Sequence, residues 1–162
     1  MEAKKIIITG GATRIGAAIA KNLVSFDTKI VIHFNRSKSS ALKLKKELEN
    51  LGAETYLLKA DLNNFKQTNN LIKNAYSKMR GLDCLVNNAS VFENDNLKNF
   101  TEKSFTKHIN INLKAPAILT QNFHKFVRDK EGCIINIIDQ RVEKLTPFFS
   151  VSYTHLTLPT MS

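Results

Sequence analysis

Residues 9–16 read TGGATRIG and hold three of the chain's 6 glycines, Gly10, Gly11 and Gly16. A glycine turn between a strand and a helix lets the backbone approach a diphosphate, and the helix presents its positive N-terminal end to the same group. A plain tight turn also uses glycine, so the context decides. Here an apolar β-branched run precedes the turn and a helical pattern follows it, which favours nucleotide binding. The end of the second apolar run, HFNRS, indicates which nucleotide. Asn35, Arg36 and Ser37 stand where a carboxylate would otherwise take an adenosine ribose hydroxyl. A guanidinium with a neighbouring hydroxyl suits a 2′-phosphate instead. Arg14, inside the glycine turn, would close on that phosphate from the other side. The expected cofactor is NADP(H) rather than NAD; the alternative is two solvated surface arginines.

The elements that must position these residues alternate. KKIIITG is a short β-branched run that suits a buried parallel strand. RIGAAIAKNLVSF follows as a helix with Ile15, Ile19 and Leu23 on one face. KIVIHFN is a second strand, and SSALKLKKELENLG a helix closed by Gly52. ETYLLKADL is a third strand. The next helix turns Leu71, Ile72, Ala75 and Met79 inward and again ends at a glycine. LDCLVNNAS is a fourth strand. After a polar loop, a helix runs from about Glu102 through the 120s with a bend expected near Pro116. GCIINIID is a fifth strand. Strict alternation predicts an α/β fold, a Rossmann-like doubly wound parallel sheet with right-handed crossovers.

In order and approximate spacing, TGGATRIG, ADL, NNAS, NINLKAP and IINIID resemble the short-chain dehydrogenase/reductase family from Lys5 to Phe149. The family usually keeps glycine where this chain has Arg14. That arginine, HFNRS, and NNAS in place of NNAG resemble the pteridine reductase branch. The resemblance implies a sheet in the order 3-2-1-4-5, incomplete at the C-terminus. It implies that Thr9, Gly10, Arg14, Ile15 and Gly16 line the diphosphate turn, and that Asn35, Arg36 and Ser37 hold the 2′-phosphate. Asp61 would meet the adenine through its carboxylate and Leu62 through its backbone. Asn88, Ala89 and Ser90 would run alongside the cofactor. All of these lie at carboxyl ends of predicted strands, where open α/β sheets bind ligands.

For catalysis, the resemblance implies reduction of a C=O or C=N bond, a pteridine-type compound being the first substrate to consider. Reduction of 3-oxoacyl thioesters or other carbonyls is the alternative, and a non-catalytic nucleotide-binding module the alternative of another class. Asn112 matches the asparagine that holds a water for proton relay; an Asn bridging backbone groups at a helix irregularity is compatible with that role. Asp139 occupies the place of the family's serine, as aspartate does in the pteridine reductase branch, where it helps protonate the pterin; a strand-end aspartate also serves as a simple cap. Phe92 would stack on a flat heterocycle, or pack in the core. The family's tyrosine would fall on Ser152, and Tyr153 lies one residue beyond. Thr157, not lysine, stands one helical turn later, and no lysine follows Lys144. Without a neighbouring cation a phenol keeps its pKa of about 10 and is a poor proton shuttle at neutral pH.

VSYTHLTLPT has a possible back-translation resembling a transposon-end adapter used for DNA sequencing libraries. Residues 1–150 are therefore expected to be a partial NADP-binding Rossmann domain, and 151–162 a non-native tail. A missing tyrosine–lysine helix and further strands would leave GCIINIID as an apolar sheet edge. The chain is then expected to be poorly soluble or loosely folded.

Bulk composition fits one soluble domain: 162 residues, 43% hydrophobic and 23% charged. No apolar run reaches bilayer length and the N-terminus lacks a signal-peptide core, so the chain reads as cytoplasmic with no membrane partner. A net charge of +10 raises nucleic acid as a partner. The lysines, however, are interleaved with acidic residues and no aromatic-basic stripe occurs, so no nucleic-acid partner is expected. Cys84 and Cys133 lack metal spacing, no metal site is expected, and both read as reduced buried thiols. The expected partners are a small-molecule substrate and, for the parent protein, its own copies in a homodimer or homotetramer.

Overall fold

Five apolar runs become strands: β1 (Lys5–Ile8), β2 (Lys29–Phe34), β3 (Glu54–Lys59), β4 (Cys84–Asn87) and β5 (Cys133–Asn136). All pair in parallel in the order β3-β2-β1-β4-β5, which is the predicted Rossmann-like topology. The computed structural model describes residues 4–93, 98–99, 101–127 and 131–138. Asp139, Tyr153 and residues 151–162 lie outside the described residues.

Alternation along the strands sends side chains to two cores. Ile7, Val31 and Leu85 face helices α3 (Phe65–Met79) and α5 (Ala115–Val127), meeting Leu71, Ile72, Ala75, Met79, Leu119 and Phe123. Ile6, Ile8, Ile30, Ile32 and Val86 face α1 (Arg14–Leu23) and α2 (Lys38–Asn50), meeting Ala20, Ala41, Leu44 and Leu48. The central strands are covered on both faces, which is why they read as continuous Ile/Val runs. The predicted inward face of α3 is buried as expected, with Asn64 capping its N-terminus by accepting from the Gln67 N–H at 3.1 Å. Gly52 takes φ +91° just after α2 and ends it.

Three details differ from the sequence expectation. The buried face of α1 is Gly16 and Ala20, while Ile15 is 57% exposed and Leu23 37%. At the N-terminus of the helix, position 16 must be glycine because a Cβ there would collide with the Gly10 carbonyl oxygen. The long helix does not simply bend at Pro116. It runs as α4 (Glu102–His108), a π-helical segment (Ile109–Lys114) and α5, with the Ala115 N–H reaching back to the Asn110 carbonyl. Pro116 has no N–H for the carbonyl of Asn112 four residues earlier, so the break in the ladder begins before the proline itself. Cys133 is exposed and Cys84 only half-buried. They sit side by side in the β4–β5 register, and burial, followed by the neighbouring Cys133, pushes the Cys84 thiol up to about 12.

Among the described residues β5 stands at the sheet edge with all four residues exposed, Ile134 and Ile135 among them. No helix among the described residues is long and apolar enough to cross a membrane.

Replacing Ile72, fully buried between α3 and the sheet, with alanine should lower unfolding free energy by about 2–5 kcal/mol. The shift in urea midpoint at unchanged slope measures it.

Candidate functional site

The carboxyl ends of β1 and β4 are tied by a polar knot. The buried Thr9 hydroxyl donates to the Val86 carbonyl at 3.2 Å and accepts the N–H groups of Asn88 at 2.9 Å and Ala89 at 3.0 Å. Asn88 Nδ2 answers by donating to the carbonyls of Thr9 at 2.9 Å and Gly10 at 3.2 Å. The two segments approach so closely that a Cβ on Gly10 would lie 2.9 Å from Ala89 Cα. A Cβ on Gly16 would collide with the Gly10 carbonyl oxygen and come within 2.6 Å of Asn88 Nδ2. Only glycine fits either position. Thr9, Gly10, Gly16, Asn88 and Ala89 are thus brought together as the sequence predicts, and Ser90 follows them exposed on the same loop.

This packing fixes the N-terminus of α1 at the mouth of the turn. Thr13 gives that helix no side-chain cap, and its first turn holds no acidic residue. The leading N–H groups of a helix have no partner within the helix and carry its positive end. Arg14 adds a charge at that spot, on a backbone held at φ +51°. A left-handed non-glycine residue is strained by about 1–2 kcal/mol. Its side chain, like those of Ile15, Asn35, Arg36 and Ser37, is exposed. Neither guanidinium is in an ion pair among the described residues. The result is an open shelf lined by N–H donors and two free cations, suited to phosphate groups.

The β2 and β3 exits meet at its edge. Asn35 Nδ2 donates to Asp61 Oδ1 at 3.3 Å, and the same oxygen accepts the Asn63 N–H at 3.0 Å. The Asp61 N–H is taken by Gln67 Oε1 at 2.8 Å. The Leu62 side chain is buried in the core behind this edge. Beneath them lies His33, which the sequence reading passed over. It is 2% exposed, its Nδ1 3.1 Å from the Gly10 nitrogen and its Nε2 3.1 Å from the Ala60 carbonyl oxygen. Burial pulls its pKa down to about 4, against smaller opposing effects from the Ala60 hydrogen bond and Asp61. The signal available was a lone titratable residue inside an otherwise apolar strand.

On the β4 side, Asn112 accepts the Val91 N–H and donates to the Val91 carbonyl, both at 2.8 Å. From the π-helical segment it therefore pins the loop that carries Phe92. Phe92 is 46% exposed, so core packing is not its role. The buried His108, also missed in the sequence, takes the Glu93 N–H on Nε2 at 3.3 Å while Nδ1 pairs with the Ser104 carbonyl at 2.8 Å. Glu93 is held below the usual carboxylate range, first by the hydrogen bond from Lys107 and in smaller part by the charges of Lys107 and Arg36.

The parallel sheet and its glycine turn are those of a Rossmann-like architecture, and comparison with known proteins gives the family. Residues 4–153 match the family model for short chain dehydrogenases; the chain belongs to that family. An uncharacterized oxidoreductase of Methylorubrum extorquens is 29% identical over 93% of this chain and 60% of its own length. A probable tetrahydroxynaphthalene reductase of Zymoseptoria tritici is 28% identical over 77% of this chain and 47% of its own. Among solved structures, the FolM alternative dihydrofolate reductase 1 of Brucella canis, complexed with NADP, is 34% identical with a TM-score of 0.86, covering 94% of this chain and 62% of that one. A short chain dehydrogenase of Burkholderia cenocepacia, also complexed with NADP, gives 25% and 0.87, covering 94% and 62%. The chain spans 46% to 60% of the length of the curated relatives it matches.

Two measurements test this geometry. Thr9→Val strands the N–H groups of Asn88 and Ala89 and should cost at least about 2 kcal/mol, whereas Thr9→Ser should cost far less; chemical denaturation separates them. His33 holds a folded pKa below its unfolded value of 6.5, so the unfolded chain binds the extra proton. Stability should fall as pH drops from about 6.5 towards about 4, by about 3 kcal/mol in all. His33→Gln should lack that part of the profile.

Proposed function

We propose that the chain binds NADP(H) on this shelf, and that its protein is an NADPH-dependent reductase of a C=O or C=N bond with a pteridine-type substrate. The observation that carries the cofactor reading is the uncapped N-terminus of α1 flanked by Arg14 and Arg36, both exposed and without ion pairs among the described residues. A helix N-terminus takes a diphosphate, and two guanidiniums take a third phosphate that NADP has and NAD lacks. The residues present fit the group. Ile15, Gly16, Ser90 and Asn88 lie along its path, Asn35, Arg36 and Ser37 hold the 2′-phosphate, and Asp61 and Leu62 meet the adenine.

When bound, the nicotinamide supplies the hydride. The chain's own residues orient and protonate. Asn112 fixes the β4 exit loop at Val91, which sets Phe92 where a flat heterocycle would stack. In this proposal Asp139 helps to protonate the substrate, and turnover further requires a tyrosine–lysine pair, which has no match in this sequence. Residues 1–150 are then the cofactor half, and 151–162 contribute nothing to it. The pteridine assignment is supported by the Brucella canis and Brucella suis alternative dihydrofolate reductases, each 34% identical to this chain. A cytoplasmic location and a homodimer or homotetramer belong to the same proposal.

The second reading, a reductase of other carbonyls, is favoured by the tetrahydroxynaphthalene reductase likeness. Oxidation of NADPH with a dihydropterin against a generic dione, using the gene completed past Ser150, separates the two.

Titration of NADPH and NADH by fluorescence tests the cofactor reading. Arg36→Ala should weaken NADPH about tenfold or more and leave NADH unchanged. Arg14→Gly should weaken NADPH similarly without lowering Tm, since glycine accepts the left-handed backbone freely. A wild-type preference for NADH would overturn the assignment.

A further inference from the structure

We propose that His33 is the positioning residue of the cofactor turn: its neutral ring, protonated on Nε2, holds the Gly10 peptide so that the leading N–H groups of α1 face the diphosphate. The proposal rests on the NADP(H) reading above and deepens it.

The tautomer follows from the partners. A backbone N–H can only donate, so Nδ1, 3.1 Å from the Gly10 nitrogen, must carry the lone pair. A carbonyl can only accept, so Nε2, 3.1 Å from the Ala60 oxygen, must carry the hydrogen. The backbone of the same residue takes the next peptide, the Gly11 N–H donating to the His33 carbonyl at 3.0 Å. Two consecutive N–H groups of the turn are thereby consumed from below by β2. Those at the start of α1 are left pointing outward to the shelf. Gly10, at φ +60° and with no side chain of its own, is held on this side by the His33 ring and the turn's next N–H by the His33 backbone. On the other side Asn88 Nδ2 grips the carbonyls of Thr9 at 2.9 Å and Gly10 at 3.2 Å, so each of the two peptides flanking Gly10 is held at its N–H by His33 and at its carbonyl by Asn88.

The second ring nitrogen extends the effect. Ala60 directly precedes Asp61, whose carboxylate is the charged group acting on the ring. One imidazole therefore sets the spacing between the diphosphate turn and the β3 exit assigned to the adenine. A protonated ring would present a hydrogen to the Gly10 N–H and push the turn away. The 2% exposure of His33 and its depressed pKa keep it neutral at physiological pH.

Two substitutions dissect the ring in the full chain. His33→Asn carries an amide oxygen at the place of Nδ1 and can still accept from Gly10, but cannot reach Ala60. His33→Gln carries its amide at the place of Nε2 and can still donate to Ala60, but leaves the Gly10 N–H without an acceptor. By fluorescence titration, Asn should bind NADPH within a few-fold of wild type, and Gln about tenfold or more weaker, the value of one hydrogen bond in affinity. A merely structural histidine predicts instead that both lose affinity in step with their Tm; that result overturns the proposal, as does wild-type binding by Gln. Long-range 15N–1H correlation on the wild-type chain, needing no cofactor and no variant, should show the Nε2–H tautomer; an Nδ1–H or doubly protonated ring at neutral pH overturns it as well. Wild-type chain that binds no NADPH defeats the cofactor reading and this inference with it. Wild-type binding without an Asn/Gln difference defeats this inference alone.

Discussion

The Thr9 hydroxyl is the contact on which the site depends. It uses its one hydrogen on Val86 and both lone pairs on the N–H groups of Asn88 and Ala89, so its hydrogen-bonding capacity is filled. Two parallel strands that end side by side have no further ladder partners, and their next peptides would be buried without satisfaction. Here one side chain supplies the missing acceptors, and Asn88 returns the gesture to the carbonyls of Thr9 and Gly10. The strand ends are drawn together tightly enough that Gly10 and Gly16 cannot carry a Cβ. Glycine at positions 10 and 16 is thus set by the knot behind the turn.

Around the knot, two buried imidazoles do for loops what ladders do for strands. His33 joins the β1 exit to the β3 exit, and His108 joins the β4 exit to α4. Their tautomers are opposite: the Gly10 N–H meets Nδ1 of His33, and the Glu93 N–H meets Nε2 of His108. Each is decided by which nitrogen faces a donor. Asn112 adds a third tie, spending both ends of its amide on the Val91 backbone from a helix that widens to a π-turn beside Pro116. The shelf is a set of loops, and His33, His108 and Asn112 each tie one of them with both polar atoms of the side chain paired.

Much of this was legible in the residues because two different rules spoke at once. Apolar runs alternating with helical periods called for a parallel α/β sheet, the family resemblance supplied its strand order, and the glycine turn, HFNRS and NNAS fall where an open parallel sheet binds ligands. What the residues hid depends on distance between segments far apart in the chain. Periodicity grouped Ile15, Ile19 and Leu23 on one face, but of these only Ile19 packs against the core, and the closeness of the turn to α1 puts Gly16 on the buried side. An edge strand carries the same isoleucines as a buried one, so Cys133 could not be told apart from a core thiol by pattern. His33 and His108 look like isolated anomalies until their partners, 23 and 15 residues away, are seen.

Arg14 shows the same logic from the side of strain. At φ +51° it occupies a backbone region that glycine enters freely and arginine does not. Nothing in the packing calls for it: the side chain is exposed and makes no ion pair among the described residues. Strain of this kind persists where the surrounding structure over-determines the backbone, and here Gly10 is gripped by His33 on one side and Asn88 on the other, leaving the turn no softer conformation to relax into. The knot that forces glycine at positions 10 and 16 is therefore also what permits a non-glycine at position 14. A charge can be held on the lip of the shelf because the floor beneath it cannot move.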